Sequence, residues 1–174
     1  EKLSMAEGRI VDGHAPSLTG RELCAYIAAG IHNDHESTAF AEALEKLRLG
    51  QAILVREGSA SRNLEAIVSG IIAQGISTRF AAFCSDDKHL ADLRREGTIR
   101  HCLRKAIALG LPLIDAYRMA TINAAQMFRL YDLGAIAPGY RADLVVLDDL
   151  EEVSVQSVYK DGVAVDPDRV AADA

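Results

Sequence analysis

Residues 52–59 read Ala-Ile-Leu-Val-Arg-Glu-Gly-Ser, and this stretch carries the clearest indication of the fold. Four consecutive apolar residues are typical of a parallel β-strand that is covered by helices on both faces. Arg56, Glu57 and Ser59 follow directly, at the point where such a strand would end. A buried strand that ends in polar side chains predicts an α/β protein with a site at the carboxyl edge of its sheet.

Similar strands with polar ends lie on both sides of this stretch, and helical segments separate them. The other strand candidates end near His14, His35 and Asp86, so the unit repeats about every 20 to 30 residues. This alternation predicts a parallel sheet with right-handed crossovers. Four such units would make half of a TIM-type (β/α)8 barrel, strands five to eight. A flavodoxin-like open sheet is the competing architecture, because it also contains about five βα units.

Local signals predict where several elements begin and end. Thr19 is a candidate N-cap with Glu22 three residues later, which is the spacing of a capping box. Ser37 or Thr38 is expected to cap the next helix, and Asn123 to cap a short helix that reaches Phe128.

The last part of the chain changes character from helical units to strands. Residues 142–147 predict a strand, and residues 155–165 a hairpin with Asp161-Gly162 at its turn. We therefore expect residues 1–133 to be the C-terminal half of the barrel and residues 134–174 to be part of a small β-sandwich domain.

Composition excludes several classes of function. The chain has 174 residues and a net charge of −6, without the basic stripe that nucleic-acid backbones require. No apolar run approaches the about 18 residues of a membrane span. Three widely spaced cysteines, Cys24, Cys84 and Cys102, form no C-x-x-C pair. We expect reduced thiols, a cytoplasmic location, and no nucleic-acid or membrane partner.

The polar strand ends predict a metal site. Two histidines and an aspartate from three strands, His14, His35 and Asp86, are a donor set that suits a divalent transition metal. Such a metal lowers the pKa of a bound water to roughly 7. A nearby carboxylate can move the resulting proton to a leaving group. Asp86 is the best candidate for that catalytic shuttle, with metal ligation as a second role.

Each of these residues also has a simpler interpretation. His14 would suit a turn, His35 a solvated position between two acids, and Asp86 the start of a helix, where an acidic side chain is favoured. Only their joint placement on successive strand ends favours a metal over these separate explanations.

At these strand ends the chain resembles the adenine deaminase branch of the amidohydrolase superfamily. The segments that carry the likeness are Asp12-Gly13-His14-Ala15-Pro16, Asp34-His35-Glu36, residues 56–65, Ser85-Asp86-Asp87 with His89, and the more general superfamily stretch 134–147. The segments around Glu57 and Asp86 are the more specific ones for this branch.

The resemblance implies a particular chemistry. His14 and His35 match metal-binding histidines on the fifth and sixth barrel strands, and Asp86 matches an eighth-strand aspartate that contacts metal and shuttles protons. By the same likeness, the seventh-strand residues Arg56, Glu57 and Ser59 are expected to contact the substrate. The implied metals are manganese or iron in a binuclear site, with zinc as an alternative. The implied reaction is hydrolytic deamination of adenine to hypoxanthine and ammonia, a step of purine salvage, by a homo-oligomer acting on a small purine substrate.

The family's H-x-H pair on the first strand and its bridging glutamate after the fourth strand are absent from this sequence. We therefore expect this fragment by itself to be inactive. Two rival functions stay open: another amidohydrolase, such as an amino-sugar deacetylase or a cyclic-amide hydrolase, and a non-catalytic βα domain that packs against or binds a partner.

Overall fold

The structure is a computed structural model that describes residues 3–6 and 8–166. The outermost residues of the two predicted domains, 1, 2 and 167–174, lie outside this part of the chain. A short 3-10 turn precedes an alternation of strands and helices. These are β1 (Asp12–Gly13), α1 (Gly20–Ala28), β2 (Asn33–Asp34), α2 (Phe40–Arg48), β3 (Ala52–Arg56), α3 (Leu64–Gln74) and β4 (Ala81–Cys84).

Helices and a small antiparallel sheet complete the described chain. The helices are α4 (Leu90–Glu96), α5 (Ile99–Ala108), α6 (Leu113–Ala120) and α7 (Ile122–Met127); the strands are β5 (Leu144–Asp149), β6 (Ser154–Lys160) and β7 (Val163–Ala164). In the described ranges, every helix is too short or too polar to cross a lipid bilayer.

The first four strands form one parallel sheet in the order β1-β2-β3-β4. A doubly wound sheet of the flavodoxin type would reverse its strand order at a switch point. Sequential neighbours with a helix after each strand instead follow the winding of a barrel wall. The prediction of a partial (β/α)8 barrel is therefore confirmed, and the flavodoxin-like alternative does not describe these strands.

The core lies between the sheet and the helices that follow it. All five residues of β3 are buried, as the apolar run predicts. Val55 packs with Ile67 and Ile71 of α3 and with Leu103 of α5 in one cluster. Each such side chain contributes about 1.5–3 kcal/mol when it leaves water, so this cluster holds the strand ends in fixed positions.

Gly13 determines how closely β1 approaches β2. A Cβ atom at this position would lie 2.3 Å from the Asn33 carbonyl oxygen and 2.8 Å from Cγ2 of Ile31. Only glycine allows this approach. The close packing of β1 on β2 places the loop that begins at His14 next to the end of β2.

Thr19 occupies the predicted N-cap position of α1 without the capping hydrogen bond, and the other two cap predictions are wrong because tertiary contacts replace the local signal. At the start of α1, the N–H of Gly20 donates instead to Glu45 of α2 at 2.8 Å. Helix α2 begins only at Phe40, beyond Ser37 and Thr38.

Asn123 lies inside α7 instead of capping it. Its side-chain nitrogen donates to the carbonyls of Thr78 at 2.8 Å and Ala81 at 3.0 Å, which ties α7 to β4.

The predicted hairpin is confirmed. Strands β6 and β7 pair antiparallel, with Lys160 opposite Val163. Asp161 and Gly162 have φ values of 51° and 79°, the positive values that a type I′ turn requires. The Tyr117 hydroxyl of α6 donates to the Leu150 carbonyl at 2.8 Å, which connects this sheet to the helices.

Candidate metal centre

The loops after β1 and β2 bring His14 and His35 together. The register pairs Gly13 with Asp34, so the residues that follow each strand leave the sheet side by side. The two imidazole rings are 5.4 Å apart between centroids and are inclined at 69°. Nδ1 of His35 lies 3.4 Å from Oδ2 of Asp12, a carboxylate–histidine contact of the kind that orients metal-binding imidazoles.

Glu36 completes a three-residue donor cluster with the histidines. Its Oε1 lies 3.5 Å from Nδ1 of His14 and 3.4 Å from Nε2 of His35. One ligand atom from each of the three residues falls within 4.8 Å of the other two. Glu36 is not among the ligands predicted from the sequence, although it directly follows His35 in Asp34-His35-Glu36.

Arg56 joins this cluster to Asp86. The buried guanidinium donates from Nη1 to Oδ2 of Asp86 at 2.7 Å and also to Oε1 of Glu36. A further bond runs from Nη2 to Oε2 of Glu36 at 3.2 Å. Nε is held by Oδ1 of Asn63 at 3.3 Å. Charge-assisted bonds of this kind fix the direction of both carboxylates.

Asp86 occupies a strained position at the end of β4. Its φ is 50°, in the left-handed region that aspartate tolerates better than most residues. Its Oδ1 accepts the N–H of Asp87 at 2.8 Å. The hydrogen bond from Arg56 is the main cause that lowers the pKa of the Asp86 carboxyl below its ordinary value. This side chain is therefore ionised at neutral pH and held in a fixed orientation by Arg56 and the Asp87 N–H.

One cavity of about 200 Å³ unites these groups. His14, His35, Arg56 and Asp86, which the sequence predicts as site residues, all border it, and Glu36 does as well. The remaining lining residues are Gly58, Ala60, Ser61 and Asp87. The predicted ligands therefore share a cavity, while ligation by Asp86 itself stays a prediction.

Glu57 and Ser59, two of the predicted substrate contacts, are placed elsewhere. Glu57 is fully buried and accepts a hydrogen bond from Nζ of Lys105 at 2.9 Å. The Ser59 hydroxyl donates to Asp92 at 2.6 Å and accepts the N–H of His89 at 2.8 Å. Successive side chains of a strand point to opposite faces. Because Arg56 faces the cavity, Glu57 is directed into the layer behind it.

The donor set suits a divalent transition metal. Imidazole nitrogens with carboxylate oxygens bind zinc, manganese and iron, and two imidazoles favour the borderline metals over calcium or magnesium. His14 is largely exposed and His35 and Glu36 are partly exposed, so an ion could reach them from the open side of the cavity.

Comparison with known proteins agrees with this fold. Residues 52–165 match the amidohydrolase family, and the chain therefore belongs to that family, whose members are generally metal-dependent. A solved structure, the β-aspartyl dipeptidase of Fervidobacterium islandicum AW-1, superimposes with a TM-score of 0.66 at 19% identity. That match covers 92% of this chain and 48% of the dipeptidase.

Two curated relatives are much more similar in sequence. The adenine deaminase of Desulfitobacterium hafniense is 50% identical over 169 residues, which is 97% of this chain and 30% of the relative. Adenine deaminase 2 of Carboxydothermus hydrogenoformans is 48% identical over 165 residues, 95% of this chain and 29% of the relative. The chain thus spans about 30% of the length of the curated relatives that it matches.

Proposed function

We propose that the complete protein containing this chain is a metal-dependent aminohydrolase that converts adenine to hypoxanthine and ammonia. The observation that carries the proposal is the single cavity bordered by His14, His35 and Asp86. Identity of about 50% to proteins named adenine deaminase supports the choice of substrate. This chain would contribute part of the site, because the relatives are about three times longer.

The proposed metal is manganese or iron, with zinc as the alternative and a binuclear site in the complete protein. His14 and His35 would hold it, and Glu36 lies close enough to join them. A divalent metal bound here would lower the pKa of a water molecule to roughly 7 and so supply hydroxide at neutral pH.

Asp86 and Arg56 would carry out the transfer of the proton from water to the leaving group. The Asp86 carboxylate accepts one proton from the attacking water and returns it to the departing amino group, so that the bond from the ring carbon to this nitrogen breaks and ammonia leaves. The water oxygen remains as the carbonyl oxygen of hypoxanthine, and the second water proton ends on the adjacent ring nitrogen. Arg56 holds that carboxylate in place through the 2.7 Å bond, and its position on the cavity also allows a contact with the purine. Glu57 and Ser59 do not border the cavity, so their part would be indirect: Glu57 binds Lys105 behind Arg56, and Ser59 binds the N–H of His89 in the loop after β4.

Replacing the proton acceptor tests the chemistry. In the complete protein, Asp86→Asn keeps an oxygen for Arg56 but cannot take a proton, so kcat/KM for adenine should fall about 10²- to 10⁴-fold. Ammonia release from adenine is the measurement, alongside a panel of N-acetyl amino sugars and cyclic amides. Asp148→Asn, an exposed residue of β5, is the matched control and should retain full activity. Hydrolysis of an amide in the panel, with no ammonia from adenine, would assign the protein to another branch of the family.

Metal content separates the enzyme from a non-catalytic βα domain. His14→Asn should lose most of the bound transition metal measured by elemental analysis, whereas His89→Asn, an exposed histidine that does not border the cavity, should keep it. A metal-free wild-type protein whose melting is unaffected by chelators would contradict the catalytic proposal.

Three further expectations belong to this proposal. Burial raises the pKa of the Cys84 and Cys102 thiols to about 12, and such inert thiols suit a reducing cytoplasm.

We also propose that residues 134–174 are part of a small β domain beside the barrel. Light scattering of the purified protein should report a homo-oligomer, and a monomer at working concentration would contradict that expectation.

A further inference from the structure

Lys46 of α2 is completely buried, yet its ammonium group is fully engaged. Nζ donates to the Ala15 carbonyl at 2.9 Å, to Oδ2 of Asp34 at 2.7 Å, to Oγ of Ser37 at 3.1 Å and to Oε1 of Glu42 at 2.8 Å. We refer to Lys46, Asp34, Ser37 and Glu42 as the Lys46 cluster. An isolated buried ammonium is very unfavourable, so these contacts are what makes its burial tolerable.

The two carboxylates of the cluster hold the loop that follows β1. Oδ1 of Asp34 accepts the N–H of Ala15 at 2.8 Å, and Oε1 of Glu42 accepts the N–H of Ser17 at 2.8 Å. The Ala15 carbonyl is also bound by Lys46. Three hydrogen bonds, to the N–H and carbonyl of Ala15 and to the N–H of Ser17, therefore fix the backbone after His14.

The same carboxylates hold the loop that follows β2. Oδ2 of Asp34 accepts the N–H of Glu36 at 3.0 Å, and Oε2 of Glu42 accepts the N–H of Thr38 at 3.2 Å. His35 lies between Asp34 and Glu36, so the backbone on both sides of this imidazole is directed by the cluster.

We propose that Lys46 is a positioning residue for the metal centre. Its ammonium fixes the two loops relative to one another so that the imidazoles of His14 and His35 meet at the cavity. The group itself lies behind the loops and touches neither imidazole in the contacts described. Metal ligands must be held within about 0.5 Å of their productive geometry, and hydrogen bonds in a low-dielectric interior provide that rigidity. The inference rests on the proposed metal site and names the residue that organises it.

The test measures metal affinity in the complete protein. Metal-free wild type and Lys46→Met are titrated with Mn²⁺ by calorimetry, and the melting temperature of each metal-free protein is recorded. Loss of an outer residue that orients ligands weakens metal binding by about 10- to 100-fold, and that is the result expected for Lys46→Met. Arg48→Met, an exposed basic residue on the same helix, is the matched control and should bind Mn²⁺ as wild type does.

A purely structural role would give a different result. Lys46→Met would then melt at a lower temperature but bind Mn²⁺ with unchanged affinity in its folded form, which overturns the proposal. If Lys46→Met does not fold, Glu42→Gln provides the second test, because it keeps the shape and removes one charged acceptor. A several-fold weaker affinity for Mn²⁺ in Glu42→Gln supports the proposal, and wild-type affinity overturns it.

Failure of the proposed function can be told apart from failure of this inference. Wild-type protein that binds Mn²⁺ but releases no ammonia from adenine rejects the substrate and leaves the comparison of affinities intact. Wild-type protein that binds no Mn²⁺ rejects the positioning role together with the metal site.

Discussion

Two buried clusters of lysine and carboxylate flank the metal centre, and they differ in how completely their polar atoms are satisfied. In the Lys46 cluster, Lys46 and both carboxylates are hydrogen-bonded to one another and to the two histidine loops. The second cluster joins the end of β3 to α4 and α5. It is built from Glu57, Lys88, Glu96, His101 and Lys105, and we call it the Glu57 cluster.

The Glu57 cluster is incompletely bonded. Oε2 of Glu57 and Nε2 of His101 are buried without a hydrogen-bond partner in the described part of the chain. Nε2 of His101 lies 3.8 Å from a carboxylate oxygen of Glu57 and 3.8 Å from one of Glu96, which is too long for a hydrogen bond. Burial without bonding costs free energy. The buried polar atoms of the Lys46 cluster are therefore more completely hydrogen-bonded than those of the Glu57 cluster.

The largest expected effect is the loss of the Lys46 ammonium. In Lys46→Met, two buried carboxylates lose their cation, and removal of one partner from a buried ion pair costs about 3–5 kcal/mol. Urea unfolding of the complete protein, followed by circular dichroism, should show a loss in this range. If Lys46→Met lowered the free energy of unfolding no more than Arg48→Met does, the carboxylates of Asp34 and Glu42 would have found other partners. The Lys46 cluster would then not be the more stabilising of the two.

A smaller effect is expected in the Glu57 cluster. Glu57→Gln removes the charge-assisted bond to Lys105, but Lys105 is partly exposed and regains water, while Oε2 has no bond to lose. The expected cost is about 1–3 kcal/mol. The same urea experiment measures it. If Glu57→Gln lowered the free energy of unfolding as much as Lys46→Met does, the Glu57 cluster would stabilise the fold as strongly as the Lys46 cluster.

The smallest effect concerns acid pH. Hydrogen bonds from Arg95 and then Arg62 lower the pKa of Glu96 from 4.5 to about 2. Because the folded pKa is depressed, the stabilisation is present above pH 4.5 and is lost as the pH falls towards 2. Glu96→Gln should therefore be less stable than wild type above pH 4.5, and this difference should shrink as the pH approaches 2. A difference that does not change with pH would assign the effect to packing.

Parts of this arrangement could be predicted from local sequence alone. The apolar run before Arg56 predicts β3, and the polar ends after each strand predict that His14, His35 and Asp86 converge. Strand alternation could also have shown that Arg56 and Glu57 face opposite ways. Which of the two faces the cavity depends on how the sheet is covered.

The Lys46 cluster could not be predicted in this way. Glu42 and Lys46 are four residues apart on a helix, a spacing that usually marks an exposed ion pair. Here the same pair is buried because the histidine loops fold over it. Glu36 could not be predicted as a metal ligand for a related reason. An acidic residue beside a histidine has many possible partners, and its direction is fixed only by the contact with Arg56.

The sequence by itself determined the parallel strands and the polar residues at their ends, because those depend on hydrophobic runs and on the alternation of strands with helices. The order of the strands, which separates a barrel wall from an open doubly wound sheet, was decided by the structure. Only the tertiary structure decided which carboxylates meet the histidines, where Glu57 points and what surrounds Lys46. These depend on contacts between different elements, such as Asp34 with Lys46, Glu36 with Arg56 and Glu57 with Lys105. The geometry of such contacts is set by the packing of the layers and not by any local pattern.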